Sequence, residues 1–167
     1  MPRTLWDPAA GDGAIVLPLR TSGRTVYASD IHDYGLPGCH IMNYLTAPSP
    51  PAGWVEGIVG NPPYGLALDL AVKALAEVPY VALLVRTNWL LEDSHPSKRG
   101  PWLDANEPTR QWWIAQRLPM MHRHDWTGKK AGSNTPYAWA VWERGAPREF
   151  PRRVYWRELL NGKTEVA

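Results

Sequence analysis

Gly60-Asn61-Pro62-Pro63-Tyr64-Gly65 follows the apolar run 55–59, so this part of the chain reads as a strand that ends in a rigid turn. Two consecutive prolines fix φ and carry no backbone donor, which leaves the Asn61 side chain and the neighbouring carbonyls as outward acceptors with little freedom. Tyr64 adds a flat aromatic face beside them. Acceptors next to a stacking ring suit a planar group bearing an NH2, such as an adenine or a carboxamide. The same residues also make an ordinary Pro-Pro turn that caps a strand, so the tetrapeptide alone does not decide between structure and chemistry.

The opening of the chain weights the second reading. A short strand at 3–6 runs into Asp7-Pro8-Ala9-Ala10-Gly11-Asp12-Gly13, and a helix pattern follows at 14–22. Small residues at a strand-to-helix turn let a ligand approach the backbone, as in doubly wound α/β sheets. The spacing is neither the three-glycine dinucleotide fingerprint nor a P-loop, which points to a ligand without phosphate. A second strand at 25–28 stops at Ser29-Asp30. An acidic residue at that tip, about 20 residues past a glycine turn, is placed to accept hydrogen bonds from ribose hydroxyls.

Further strands are expected at 40–42, 55–59, 80–85, 117–121 and 137–142, with helices at 66–78, 109–116 and 156–160. Leu66, Leu70, Val72, Leu75 and Val78 set the helical spacing of the first of these helices. The continuous apolar run 80–85 suits a strand buried on both faces, with Arg86 to Trp89 lining the crevice at its end. Residues 92–108, broken by prolines and Gly100, read as a long exposed loop. Alternating strands and helices imply an α/β fold, Rossmann-like and doubly wound, mostly parallel, with an antiparallel hairpin strand in the C-terminal part.

Length and composition bound what the chain can do. Its 167 residues are one domain's worth, and a formal charge of +2 is not the field of a polyanion wrapper. Local basic patches must therefore carry any nucleic-acid contact. The single cysteine, Cys39, excludes an internal disulfide and a cysteine zinc cage, and suits a reducing cytoplasm. No apolar run has the length of a membrane span. His122, His124 and Asp125 do not complete a metal site, so no metal is expected.

The order Asp7-Pro8-Ala9-Ala10-Gly11-Asp12-Gly13, then Asp30, then Asn61-Pro62-Pro63-Tyr64 resembles class I S-adenosylmethionine-dependent methyltransferases of the amino-group type, the adenine-N6 branch especially. The likeness runs over 5–143, and phage and prophage DNA adenine methyltransferases look similar at 81–91 and 135–143. The resemblance implies that Asp7, Ala9, Gly11 and Gly13 surround the methionine part of S-adenosylmethionine. Asp30 would hold the ribose and Ile31 would pack on the cofactor adenine. Asn43 stands where the family has an acidic residue for the adenine amino group. Asn61, Pro62, Pro63 and Tyr64 would act on the substrate amino group, with Asn61 also beside the cofactor. For a base taken out of a duplex, Trp126 is the candidate second stacking ring, and Lys129, Lys130 and Arg86 are candidate substrate contacts.

The expected activity is methyl transfer to the N6 amino group of adenine in nucleic acid, DNA in preference to RNA. Protein glutamine-N5 transfer, RNA adenine-N6 transfer and noncatalytic cofactor binding stay open beside it. Relatives specific for a sequence usually carry a target-recognition domain, and many carry a cofactor-binding segment ahead of the first motif. Neither is evident in 1–167, which implies a single catalytic domain with low sequence specificity, or a partner subunit that supplies recognition.

Overall fold

The computed structural model describes residues 1–91, 97–118 and 135–155, and these form one eight-stranded sheet in the order β3-β2-β1-β4-β5-β7-β6-β8. The strands are β1 (Thr4–Asp7), β2 (Thr25–Asp30), β3 (Cys39–Ile41), β4 (Gly57–Gly60), β5 (Tyr80–Arg86), β6 (Arg110–Ile114), β7 (Tyr137–Glu143) and β8 (Arg152–Val154). Only β7 pairs antiparallel with its neighbours, β5 and β6; every other ladder is parallel. The helices are α1 (Val16–Thr21), α2 (Ala67–Glu77), α3 (Thr87–Leu91) and α4 (Arg99–Ala105), and a single 3-10 turn at Tyr64–Leu66 leads into α2.

Alternation along the central strands divides the core into two layers, because successive side chains of a strand leave opposite faces. Leu5, Val59 and Ala82 join Val16 of α1 on one face. Trp6, Ile58, Val81 and Leu83 join Ala67, Leu70, Ala71 and Ala74 of α2 on the other. The buried stripe of α2 thus differs from the expected one. Leu66 and Val72 are exposed, and small alanines instead bring the helix close to the sheet.

Several expectations are corrected. Residues 109–116 hold a strand and not a helix: Trp112, Trp113 and Ile114 fit a pleated surface, and Trp112 faces Trp139 across the ladder to β7. The stretch 92–108 contains α4. Its Pro101 lies in the first helical turn, where a missing N–H breaks no helical bond. Trp102 of α4 packs 6.1 Å from Trp142, whose indole N–H donates to the Asn106 carbonyl at 2.7 Å. Trp89 is buried in the core beneath α2 and does not line the crevice. The stretch after Gly145, for which no strand is expected, adds β8 beside β6. Arg117 and Leu118 belong to no strand; the remainder of 117–121 and the helix expected at 156–160 lie outside the described residues.

The sheet also depends on a missing side chain at Gly57. A Cβ there would sit 2.8 Å from the Tyr80 carbonyl oxygen and 3.1 Å from Leu5. Gly57→Ala is expected to cost about 1–3 kcal/mol by overpacking, read as a lower urea midpoint with an unchanged m-value. Gly65→Ala, where an added carbon meets nothing within 4 Å, should leave the midpoint in place.

Candidate active site

Strand order reverses between β1 and β4, the neighbours at the centre of the parallel part of the sheet, and ligands of open α/β sheets bind beyond the carboxyl ends at such a point. The register Leu5↔Gly57 and Trp6↔Ile58 brings the end of β1, Asp7, against the end of β4, Gly60. The two motifs separated by some fifty residues of sequence therefore meet at one crevice.

Asp7 is 1% exposed, and its Oδ1 accepts the Ala9 N–H at 3.1 Å. Its Oδ2 is buried, and no donor among the described residues reaches it. Burial pushes the carboxyl up from 3.8 to about 7; the Ala9 N–H opposes this and repulsion from Asp30 adds to it. Gly60 packs against this carboxyl: a Cβ at that position would lie 2.9 Å from Asp7 Oδ1, so the carboxyl would have to shift. The spacing of the motifs did not reveal this contact, which only the β1–β4 register creates.

Next to Asp7, the glycine turn is closed by bonds to β2. Ala10 N–H donates to the Ser29 carbonyl at 3.0 Å, and Gly11 N–H donates to Asp30 Oδ2 at 2.9 Å. Asp30 Oδ1 accepts the His32 N–H at 3.1 Å, so each oxygen holds one backbone donor and keeps acceptor capacity. Gly11 and Gly13 have φ of 53° and 91°, a region that favours glycine. Ile31 is 52% exposed beside Asp30. Asn43 is exposed at the end of β3, and its Oδ1 accepts the Leu45 N–H at 3.0 Å, closing a local turn.

At the rigid turn, Asn61 Oδ1 is buried and no donor among the described residues meets it. An orphaned buried acceptor is costly, by about 1–3 kcal/mol, and Pro62 and Pro63 hold it in place. The Tyr64 ring is 42% exposed. Arg86 does not stand alone in the crevice: its Cζ lies 3.6 Å from the Tyr64 ring centroid. The Tyr64 hydroxyl bonds that of Tyr137, a residue the sequence reading did not single out. Burial, then this bond, pushes the Tyr64 phenol up, and Arg86 pulls against both. Trp126, Lys129 and Lys130 lie outside the described residues. Among those residues no cluster of His, Cys, Asp or Glu is arranged to hold a metal, and no helix is long and apolar enough to cross a membrane.

The raised Asp7 carboxyl makes stability depend on pH. The unfolded chain ionises at 3.8 and the folded one at about 7, so this contribution is present below the lower value and lost as pH rises through the upper. The loss is on the order of 4 kcal/mol. Asp7→Asn, neutral throughout, should gain stability relative to the parent as pH rises from about 4 to 7 and level off above. Urea unfolding without added ligand checks this, and a constant difference across the window would refute it.

No family model and no curated protein matches this chain. Solved structures do. The methyltransferase subunit of a type I restriction-modification system from Streptococcus thermophilus superposes with a TM-score of 0.58 at 12% identity, over 85% of this chain and 40% of that one. A modification subunit assigned to a type I restriction enzyme of Vibrio vulnificus YJ016 gives 0.55 at 11% identity, over 99% and 49%. Magnesium protoporphyrin IX methyltransferase from Synechocystis PCC 6803, solved with S-adenosylmethionine bound, gives 0.50 at 12% identity, over 86% and 71%. The chain thus spans less than half the length of the two restriction-system subunits, and its sheet and helices have the fold of these methyltransferases.

Proposed function

We propose that this chain is an S-adenosylmethionine-dependent methyltransferase acting on the exocyclic amino nitrogen of adenine in nucleic acid, DNA in preference to RNA, with low sequence specificity. The observation that carries the reading is Asn61 Oδ1, a buried acceptor that no donor among the described residues meets, in a turn that also presents an aromatic face. Two modification subunits of restriction systems among the structural neighbours support nucleic acid as the substrate class.

The residues around the glycine turn fit the cofactor. Asp7, Ala9, Gly11 and Gly13 would border its methionine part. The unmet Asp7 Oδ2 fits a cationic group, whose approach would favour the ionised carboxylate. Asp30 keeps acceptor capacity for ribose hydroxyls, and exposed Ile31 offers an apolar face for the adenine. Asn43 would meet the adenine amino group through whatever capacity its local turn leaves. When bound, S-adenosylmethionine supplies an electrophilic methyl group on a sulfonium sulfur.

The chain's own residues prepare the nitrogen. An exocyclic adenine nitrogen is a poor nucleophile because its lone pair is delocalised into the ring. Asn61 Oδ1 and the Pro62 carbonyl would accept its two N–H bonds, favouring a pyramidal nitrogen with its lone pair out of the ring plane. Pro62 and Pro63 keep those acceptors fixed before the reaction, so little reorganisation is needed. Tyr64 would stack on the base. The proton becomes acidic only after alkylation, so it can leave toward the same acceptors without a strong base. Trp126 as a second stacking ring and Lys129 and Lys130 as phosphate contacts complete the proposal for a flipped base. A separate subunit supplying recognition fits the restriction-system neighbours, of which this chain spans less than half.

Labelled methyl from S-adenosylmethionine, offered in parallel to unmethylated DNA, RNA and a cell protein extract, tests the reading. Label recovered as N6-methyladenine, and lost by at least about a hundredfold in Asn61→Ala with cofactor binding retained, is the expected result. Label confined to protein glutamine, or equal loss of cofactor binding in the variant, would overturn it.

A further inference from the structure

Tyr64 lies in a turn, yet its ring is held at two further places. Arg86 is the last residue of β5 and Tyr137 the first of β7, and the two are directly paired across the antiparallel ladder. The Tyr137 ring is 2% exposed, packed with Leu84, Ile114 and Val154, so the core fixes where its hydroxyl stands. That hydroxyl bonds the Tyr64 hydroxyl, with the rings 6.4 Å apart and inclined by 40°. The Arg86 guanidinium lies against one face of the Tyr64 ring, 3.6 Å from its centroid. Arg86 also hydrogen-bonds the Tyr137 side chain, the largest influence raising its basicity, so the three side chains form one unit.

We infer that Tyr137 and Arg86 are positioning residues that turn Tyr64 into a stacking platform with a single open face for the substrate base. The inference rests on the adenine-N6 reading above and assigns Arg86 a role other than a direct substrate contact. The hydroxyl bond stops the phenol tip from swinging, and the prolines fix the backbone end. The guanidinium covers the rear face, so a base stacks only on the front. A cation behind the ring also draws π density toward itself and leaves the open face less negative, which suits a neutral heteroaromatic base. Preorganisation of this kind acts on substrate binding without touching the reacting atoms.

Tyr137→Phe tests it, because the ring and its packing stay while the hydroxyl goes; the freed Tyr64 hydroxyl is near solvent and can bond water. Arg86→Lys keeps the charge and removes the planar stack. Each variant should raise KM for nucleic acid on the order of five- to tenfold, the worth of about one hydrogen bond. KM for S-adenosylmethionine should stay unchanged and the urea midpoint should fall by no more than the worth of about one hydrogen bond, which loss of folding would not produce. In the parent, NMR should show the Arg86 Cδ protons shifted upfield by the Tyr64 ring, and that shift should shrink in Tyr137→Phe. Methyl transfer to adenine by the parent, with KM unaltered in both variants and the upfield shift unaltered in Tyr137→Phe, would overturn the platform and leave the functional reading standing. A parent that transfers no methyl to any adenine would overturn the functional reading, and the assigned substrate with it.

Discussion

Everything at the crevice depends on the parallel contact between β1 and β4. It places a buried carboxylic acid against Gly60, where an added Cβ would press on Asp7 Oδ1 at 2.9 Å. From that contact follow the position of the glycine turn on one side and of Asn61 on the other. The arrangement leaves two buried oxygens, Asp7 Oδ2 and Asn61 Oδ1, without a donor among the described residues. Such groups oppose folding. The two-layer core supplies the stability that tolerates them, with side chains from both faces of β1, β4 and β5 almost fully buried.

The two halves of the crevice are held differently. On the glycine-turn side, backbone donors do the work: Ala10 and Gly11 bind the turn to the end of β2, and Asp30 accepts from both the turn and His32. On the turn after β4, rigidity comes from covalent geometry and from side chains of β5 and β7. Tyr64 reaches Tyr137 and meets Arg86, so β5 and β7, both later in the chain, set the aromatic face.

Much of this was legible in the sequence. Strands β1 to β5 and β7, α1 and α2 were placed within a few residues, because apolar runs ending at Asp7, Asp30 and Asn61 carry local signals. The candidate site residues at those ends stand out for the same reason, while the roles proposed for them come from the family resemblance. What was missed depended on partners far along the chain. Residues 109–116 read as a helix, and only pairing with β7 makes Trp112 and Trp113 a strand. Pro101 read as a breaker because its place in the first turn of α4 was not known. Tyr137 was seen only as the start of a strand, since nothing local says that its hydroxyl meets Tyr64.

The antiparallel insertion of β7 has a consequence for how the chain matures. During synthesis, β5 emerges with its edge toward β7 unpaired until Tyr137–Glu143 follow, about fifty residues later. A strand this apolar with an open edge invites pairing with another chain. The nascent protein therefore passes through a stage in which the glycine-turn half can close while its aggregation-prone edge stays uncovered. The element that covers that edge also delivers the hydroxyl held against Tyr64, so completing the sheet and fixing the aromatic face are one event.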